Sequence, residues 1–375
     1  MDKALQLFKQ LVAVDSVNPS LVPGAAGEAA VARAIAEAMR AIGLGVEIQD
    51  AAPDRQNVVG ALDGRMAGRS LMFCGHIDTV GVAGMPAPFD PVERGGRIYG
   101  RGSQDMKSGI AAMIDAARVI VESGGLAAGR LVIACVVDEE HASIGADALV
   151  TNWRTDAAVV TEPTDLQVAI AHKGFEWVEI ETEGRAAHGS RPGEGRDAIR
   201  LMARVLNGLD AIDRDLQSRP PHALLGTASL HASLIEGGRE LSSYPDRCHL
   251  QMERRTIPGE APGAAGREVE DLLTRLRRDD PDFTAASKPM FARSPYEIAA
   301  NHELPLAMIR AAGNTASAIG MSFWTDAAIL GDAGIPSILF GPTGAGLHSV
   351  EEWVDAASVV QCRDALVEMA RGWCS

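Results

Sequence analysis

Leu131-Val132-Ile133-Ala134-Cys135-Val136-Val137 is an unbroken apolar run, and Asp138-Glu139-Glu140 follows it directly. The run has the length of a strand and falls far below the roughly 18 residues of a membrane span. Apolar residues at consecutive positions mark a strand covered on both faces. Shorter β-rich runs lie at Val46 to Ile48, Val58 to Leu62, Leu71 to Cys74 and Ala157 to Val160. Helical spacing connects Val31, Ile35, Met39 and Ile42, and a second helical stretch is read from Gly109 to Ser123. This alternation predicts an α/β fold, a mixed sheet with helices on both faces.

The period changes after Lys173-Gly174. From Trp177 to Glu183, Val178, Ile180 and Thr182 alternate with Glu179, Glu181 and Glu183, the signature of a sheet with one wet face. A helix-like segment through Ile199, Met202, Leu206, Leu209, Ile212 and Leu216 comes next, then strand-like Thr227 to Ile235 and Arg247 to Arg255. A helix through Val269, Leu272, Leu273 and Leu276, then Asp282 to Ser287, completes a β-α-β-β-α-β order, the ferredoxin-like α+β arrangement. Residues 175–288 are therefore expected to form an inserted domain. Residues 1–174 and 289–375 form the other, closed by strand-like Ser337 to Phe340 and a helix from Asp355 to Gly372.

Lys plus Arg number 35 and Asp plus Glu 50, a net charge of -15 that argues against a nucleic-acid or polybasic membrane partner. The 5 cysteines form no Cys-x-x-Cys pair, so neither a disulfide framework nor a thiolate zinc site is expected. Met1-Asp2-Lys3-Ala4-Leu5 lacks the basic and apolar stretches of a signal peptide. The expectation is a reduced, cytoplasmic protein.

Chemistry-bearing residues gather where strands are expected to end. His76 and Asp78, two apart in Gly75-His76-Ile77-Asp78, share one side of an extended chain, where a carboxylate can orient an imidazole toward a metal. Asp105 lies in Gly100-Arg101-Gly102-Ser103-Gln104-Asp105. The pair of glycines resembles half of a dinucleotide fingerprint, but Asp105 puts a negative charge where a pyrophosphate would sit. Three adjacent acids after a buried strand repel one another unless cations compensate. Glu162 ends another apolar run, and His348 follows the last one. In open α/β sheets, functional groups collect beyond the carboxyl ends of strands. Two histidines, three carboxylate ligands and one spare carboxylate suit two divalent cations that share a bridging acid and a water, a catalytic pair with nitrogen and oxygen ligands.

With these residues in place the chain resembles, over essentially its whole length, the M20 family of dizinc amidohydrolases and metallopeptidases. This is the acetylornithine deacetylase, succinyl-diaminopimelate desuccinylase, aminoacylase-1 and glutamate carboxypeptidase type. The matching stretches are GHIDTV (75–80), GRGSQDMKSG (100–109), DEE (138–140), TEPT (161–164), HGSRP (188–192), ERRTIPGE (253–260) and LHSVEE (347–352). The resemblance implies a zinc-peptidase-like catalytic domain, an inserted lid and dimerisation domain, and a homodimer. It implies two Zn2+ per chain, with Co2+ or Mn2+ as substitutes. His76, Glu140, Glu162 and His348 become terminal ligands, Asp105 the bridge, Asp78 the orienting partner of His76 and Glu139 the general base. His188 is implied to reach the partner subunit's site and steady the oxyanion, and Arg255 to grip a substrate carboxylate. Glu162, rather than Asp, resembles the acylase and desuccinylase branch. Ser242-Ser243-Tyr244-Pro245-Asp246 departs from Asn-Val-Val-Pro-Asp of many relatives, so Ser242 offers a shorter hydrogen-bonding reach toward substrate. The activity expected is hydrolysis of the amide bond of an N-acylated amino acid or a related small carboxylate-bearing conjugate. A dipeptidase or carboxypeptidase of the same family is the alternative. A two-metal phosphoesterase is disfavoured because no basic cluster accompanies the acids, and a non-catalytic paralogue because Glu139 is present.

Overall fold

The computed structural model of the protein describes residues 2–375, which divide into two compact units. The first comprises the chain up to Ile170, Ile298–Gly320 and Thr325–Ser375. Its mixed sheet runs in the order Gly45–Ala52, Arg55–Asp63, Ala128–Val136, Met66–His76, Ala157–Val160, Ser337–Leu339, Val168–His172. Every residue from Leu131 to Val137 is fully buried, so both faces of that strand are covered. The middle strands are parallel, with His76 opposite Val136, Cys74 opposite Val160 and Leu339 opposite Val160. Their carboxyl ends therefore lie at one edge, and the residues just beyond them become neighbours.

Two further features bring loops to that edge. The helix Lys107–Glu122 packs against the helices Lys3–Val12 and Ala356–Trp373. It starts so close to the strand end that a Cβ on Gly109 would stand 2.1 Å from the Thr161 carbonyl oxygen. Only glycine fits there, and the contact fixes Asp105 two residues ahead of the helix. A small antiparallel sheet, Gly344–Ala345, Trp353–Asp355, Arg97–Tyr99, Val92–Arg94, pairs Trp353 with Tyr99. It ties the loop before Asp105 to the loop that carries His348.

The second unit comprises Ala171–Glu297 and Met321–Trp324. Its four strands are antiparallel in the order Ser229–Gly237, Arg247–Thr256, Gly174–Glu183, Thr284–Arg293. The helices Ala198–Ser218 and Ala264–Asp279 pack Leu201, Met202, Val205, Val269 and Leu273 onto Val178, Ile180, Leu250 and Met252. The unit extends beyond the 175–288 expected from sequence. The strand Thr284–Arg293 continues its pairing to Arg293 opposite Phe175, and Trp324 meets Phe175 edge-on at 6.1 Å. Trp324 also donates from Nε1 to the Ser294 carbonyl at 3.0 Å, which binds a distant stretch of sequence into this unit. Among the described residues, no helix is long and apolar enough to cross a membrane.

Candidate metal centre

His76 closes its strand with its side chain buried, and its two ring nitrogens face different partners. Nδ1 lies 3.0 Å from the Asp78 carbonyl oxygen and 3.5 Å from Asp78 Oδ1. The main chain is thus the nearer partner. The Asp78 carboxylate accepts from Asn18 Nδ2 at 2.7 Å and from the backbone amides of Glu139 and Glu140 at 3.1 and 3.2 Å. Nε2 of His76 points the other way, 2.9 Å from Asp105 Oδ1, 3.8 Å from Glu162 Oε1 and 4.0 Å from Glu139 Oε2. Across Asp105, His348 Nε2 lies 3.5 Å from Asp105 Oδ2 and 3.1 Å from Glu140 Oε2.

Two groups of donors result, His76–Asp105–Glu162 and Asp105–Glu140–His348, each with its ligand atoms within 4.8 Å of one another. Asp105 belongs to both. Glu139 belongs to neither, although it borders the first.

The electrostatics of the cluster are those of acids crowded into a dry pocket. Burial raises the proton affinity of Glu162 and Glu139 well above the usual carboxylate range; His76 opposes the shift and the neighbouring acids add to it. Glu140 is pushed up to about 7 by burial and by Asp105, against the pull of His348. Asp105 is held below its ordinary value because the hydrogen bonds from His348 and His76 outweigh burial. His348 rises to about 10 through Asp105 and Glu140. Glu140 Oε1 is buried with no hydrogen-bond partner, an expensive condition for a carboxylate oxygen. The donor set fits divalent cations. It offers imidazole and carboxylate, and no thiolate: Cys74, the nearest in sequence, is a buried free thiol with its pKa raised well above the ordinary value by burial.

Sequence reasoning passed over Glu352. Its Oε1 accepts from the amides of Gln104 and Asp105 at 2.8 and 3.1 Å, and its Oε2 accepts from the amide of Gly102 at 3.1 Å and Arg101 Nη1 at 2.6 Å. One buried carboxylate thereby shapes the loop that presents Asp105. The available signal was the second acid of Val350-Glu351-Glu352, inseparable in sequence from its exposed neighbour Glu351.

His188, Ser242 and Arg255 belong to the second unit. His188 and Ser242 sit on exposed loops that touch, since the Gly189 amide donates to the Ser242 carbonyl at 2.7 Å and His188 bridges to Ser243. The Ser190 amide donates to His188 Nδ1 at 3.2 Å, so Nδ1 is the acceptor and Nε2 carries the proton. Arg255, half-buried on its strand, donates from Nε to Glu253 Oε1 at 2.7 Å and lies 5.5 Å over the Phe175 ring. Trp177 Nε1 braces the other Glu253 oxygen at 2.9 Å. The terminal nitrogens of Arg255 carry no hydrogen bond among the described residues and present an open fork.

The chain matches peptidase family M20/M25/M40 over residues 72–372. It is 27% identical to the N-formyl-4-amino-5-aminomethyl-2-methylpyrimidine deformylase of Bacillus subtilis, with 100% of this chain and 95% of the relative covered. It is 29% identical to the acetylornithine deacetylase of Myxococcus xanthus, covering 87% of this chain and 86% of the relative. Among solved structures, the aminopeptidase PepT of Bacillus cereus superposes with a TM-score of 0.81 at 18% identity, over 100% of this chain and 98% of that one. A dinuclear metal-binding M20 peptidase of Bacillus subtilis superposes with a TM-score of 0.74 at 16% identity, over 99% and 97%. The chain belongs to peptidase family M20/M25/M40, a family of metal-dependent hydrolases acting on amides.

Proposed function

We propose that the protein removes the acyl group from an N-acylated amino acid or a related small carboxylate-bearing conjugate, using two zinc ions. His76, Asp105 and Glu162 would hold one ion, and Asp105, Glu140 and His348 the other, with Asp105 shared. The observation that carries this reading is the pair of three-donor groups with one common carboxylate and a sixth residue, Glu139, left beside them. Bound zinc polarises an amide carbonyl and lowers the pKa of a bound water toward ~7.

The chain's own residues supply the rest. Glu139, whose proton affinity is raised by burial, accepts a proton at its carboxylate from the attacking water and returns it to the departing amine nitrogen. His188, protonated on Nε2, donates to the developing oxyanion in the partner subunit's site; one lost donor of this kind typically costs ~10²–10³ in turnover. Ser242 contributes a shorter-reaching polar contact to the substrate. Arg255 receives the substrate carboxylate on its open fork while Glu253 holds its other edge.

The relatives' names divide on this last point. A formylated aminomethylpyrimidine has no carboxylate, whereas acetylornithine has one. The comparison of a free acid with its amide therefore tests the reading. Amidation of the substrate carboxylate is expected to lower kcat/KM markedly in the wild type and little further in Arg255→Lys, because both changes remove the same bidentate pair. Equal hydrolysis of acid and amide by the wild type would remove Arg255 from substrate recognition. Dipeptides in the same panel separate a deacylase from a dipeptidase.

A further inference from the structure

Behind the donor cluster, within the first unit, a chain of buried polar side chains runs on from Asp78. Asn18 Nδ2 donates to Asp78 Oδ2 at 2.7 Å and to Asp138 Oδ1 at 3.0 Å. The Asn18 amide cannot be turned round, because its Oδ1 accepts from the Ser20 backbone at 2.9 Å. Arg55 Nη1 reaches the same Asp138 oxygen at 2.6 Å and Ser20 Oγ at 3.0 Å, while its Nε and Nη2 donate to the Glu28 carboxylate. Asn18 and Asp78 are 0% exposed, Glu28 and Asp138 1%, and Arg55 9%.

Three carboxylates and one guanidinium in a dry interior are a poor source of net stability, since desolvation cancels much of their attraction. Their consequence is geometric. Asp138 is the first of the three adjacent acids, and Arg55 is the cation that compensates it, from a strand 83 residues earlier in the chain. Asp78 binds the amides of Glu139 and Glu140 with its two oxygens and His76 Nδ1 with its carbonyl. A shift of Asp78 would therefore move His76 together with the main chain of both acids.

We infer that Asn18 and Arg55 are positioning residues of the metal centre, Asn18 directly on Asp78 and Arg55 through Asp138, and that they set the affinity of the donor group containing His76. The inference rests on the metal reading of that cluster, and the experiment separates the two. Metal-free chain is titrated with Co2+, and the absorption of the bound ion resolves two binding steps. A His348→Ala chain, which lacks one donor of the other group, assigns them.

In Asn18→Leu the step belonging to the His76 group is expected to weaken by about 10–100-fold, the usual cost of losing a partner that orients a ligand. The step belonging to Asp105, Glu140 and His348 is expected to weaken less, because Asp78 reaches that group only through the Glu140 amide at 3.2 Å, whereas it meets the ring of His76 itself. General loosening of the fold would weaken both steps together. Arg55→Met combined with Glu28→Gln, which removes the guanidinium and the charge of its own partner, is expected to weaken the same step by a smaller factor. It carries the test if Asn18→Leu does not fold by near-ultraviolet circular dichroism. Unchanged steps, or equal weakening of both, overturn the inference while leaving the metal reading intact. A wild type that takes up no Co2+ overturns the metal reading itself.

Discussion

Glu139 and Glu140 are adjacent in sequence, and the division of duty proposed for them follows their geometry. Glu140 stands 3.1 Å from His348, and its second oxygen is buried without a hydrogen-bond partner, a placement that suits a metal ligand. Glu139 lies outside both donor groups, bordering His76 at 4.0 Å. Glu139→Gln is expected to keep both metals and to lose ~10²–10⁴ in turnover, because an amide matches the carboxylate in shape but accepts no proton at neutral pH. Glu140→Gln is expected to lose metal, since it removes a charged ligand. Elemental analysis beside steady-state rates checks both, and identical metal contents in the two variants would contradict the division. These two acids and the other donors were legible in the sequence because they lie in the segments that follow strand-like runs or, for Asp105, in a glycine-rich loop before a helix. Asn18, Arg55 and Glu352 were not. Each acts on a residue 60 or more positions away, and none carries a local pattern that distinguishes it from an ordinary surface polar residue.

At the scale of elements, the loop 101–105 has no regular hydrogen-bond ladder of its own and depends on Glu352. Four donors converge on that one carboxylate. Glu352→Ala would leave Arg101 buried without its partner and three amides unsatisfied. The expected destabilisation is about 3–5 kcal/mol, the usual cost of breaking a buried ion pair from one side. Weaker metal binding should accompany it, because the Asp105 amide is among the freed groups. Denaturant unfolding of the metal-free chain measures the first effect and chelator competition the second; an unchanged midpoint would show that water replaces the carboxylate. The strands of the second unit were readable from alternation, since Val178, Ile180 and Thr182 are buried and Glu183 is exposed. The small sheet around Arg97–Tyr99 and Trp353–Asp355 was not readable. Strands of three residues carry no period, and their partners lie some 250 positions apart in sequence. The strand Val168–His172 was missed for a related reason, its five residues being too few to show a period.

For the whole molecule, the resemblance that names the metal ligands also implies a homodimer through the inserted unit, with His188 acting on the partner subunit's site. His188 is exposed on its loop with Nε2 available as a donor. Mixing Glu139→Gln chains with His188→Ala chains, each inactive alone, is expected to restore part of the activity. A heterodimer then holds one site with its own Glu139 and a wild-type His188 from the other chain. Verified subunit exchange without recovery would place His188 in its own subunit's chemistry or outside it.

The proposed reaction is hydrolysis of the amide of an N-acylated amino acid, supported by a divalent metal pair held in the cluster around Asp105. Its most direct test is amine release from a panel of N-formyl, N-acetyl and N-succinyl amino acids and dipeptides. Each is assayed with metal-loaded, exhaustively chelated and zinc-restored protein. The expected result is release of free amine from acyl amino acids bearing an α-carboxylate, no release after chelation, and recovery on adding zinc. Equal rates before and after chelation, or no hydrolysis of any member by protein carrying two metals, would contradict the account.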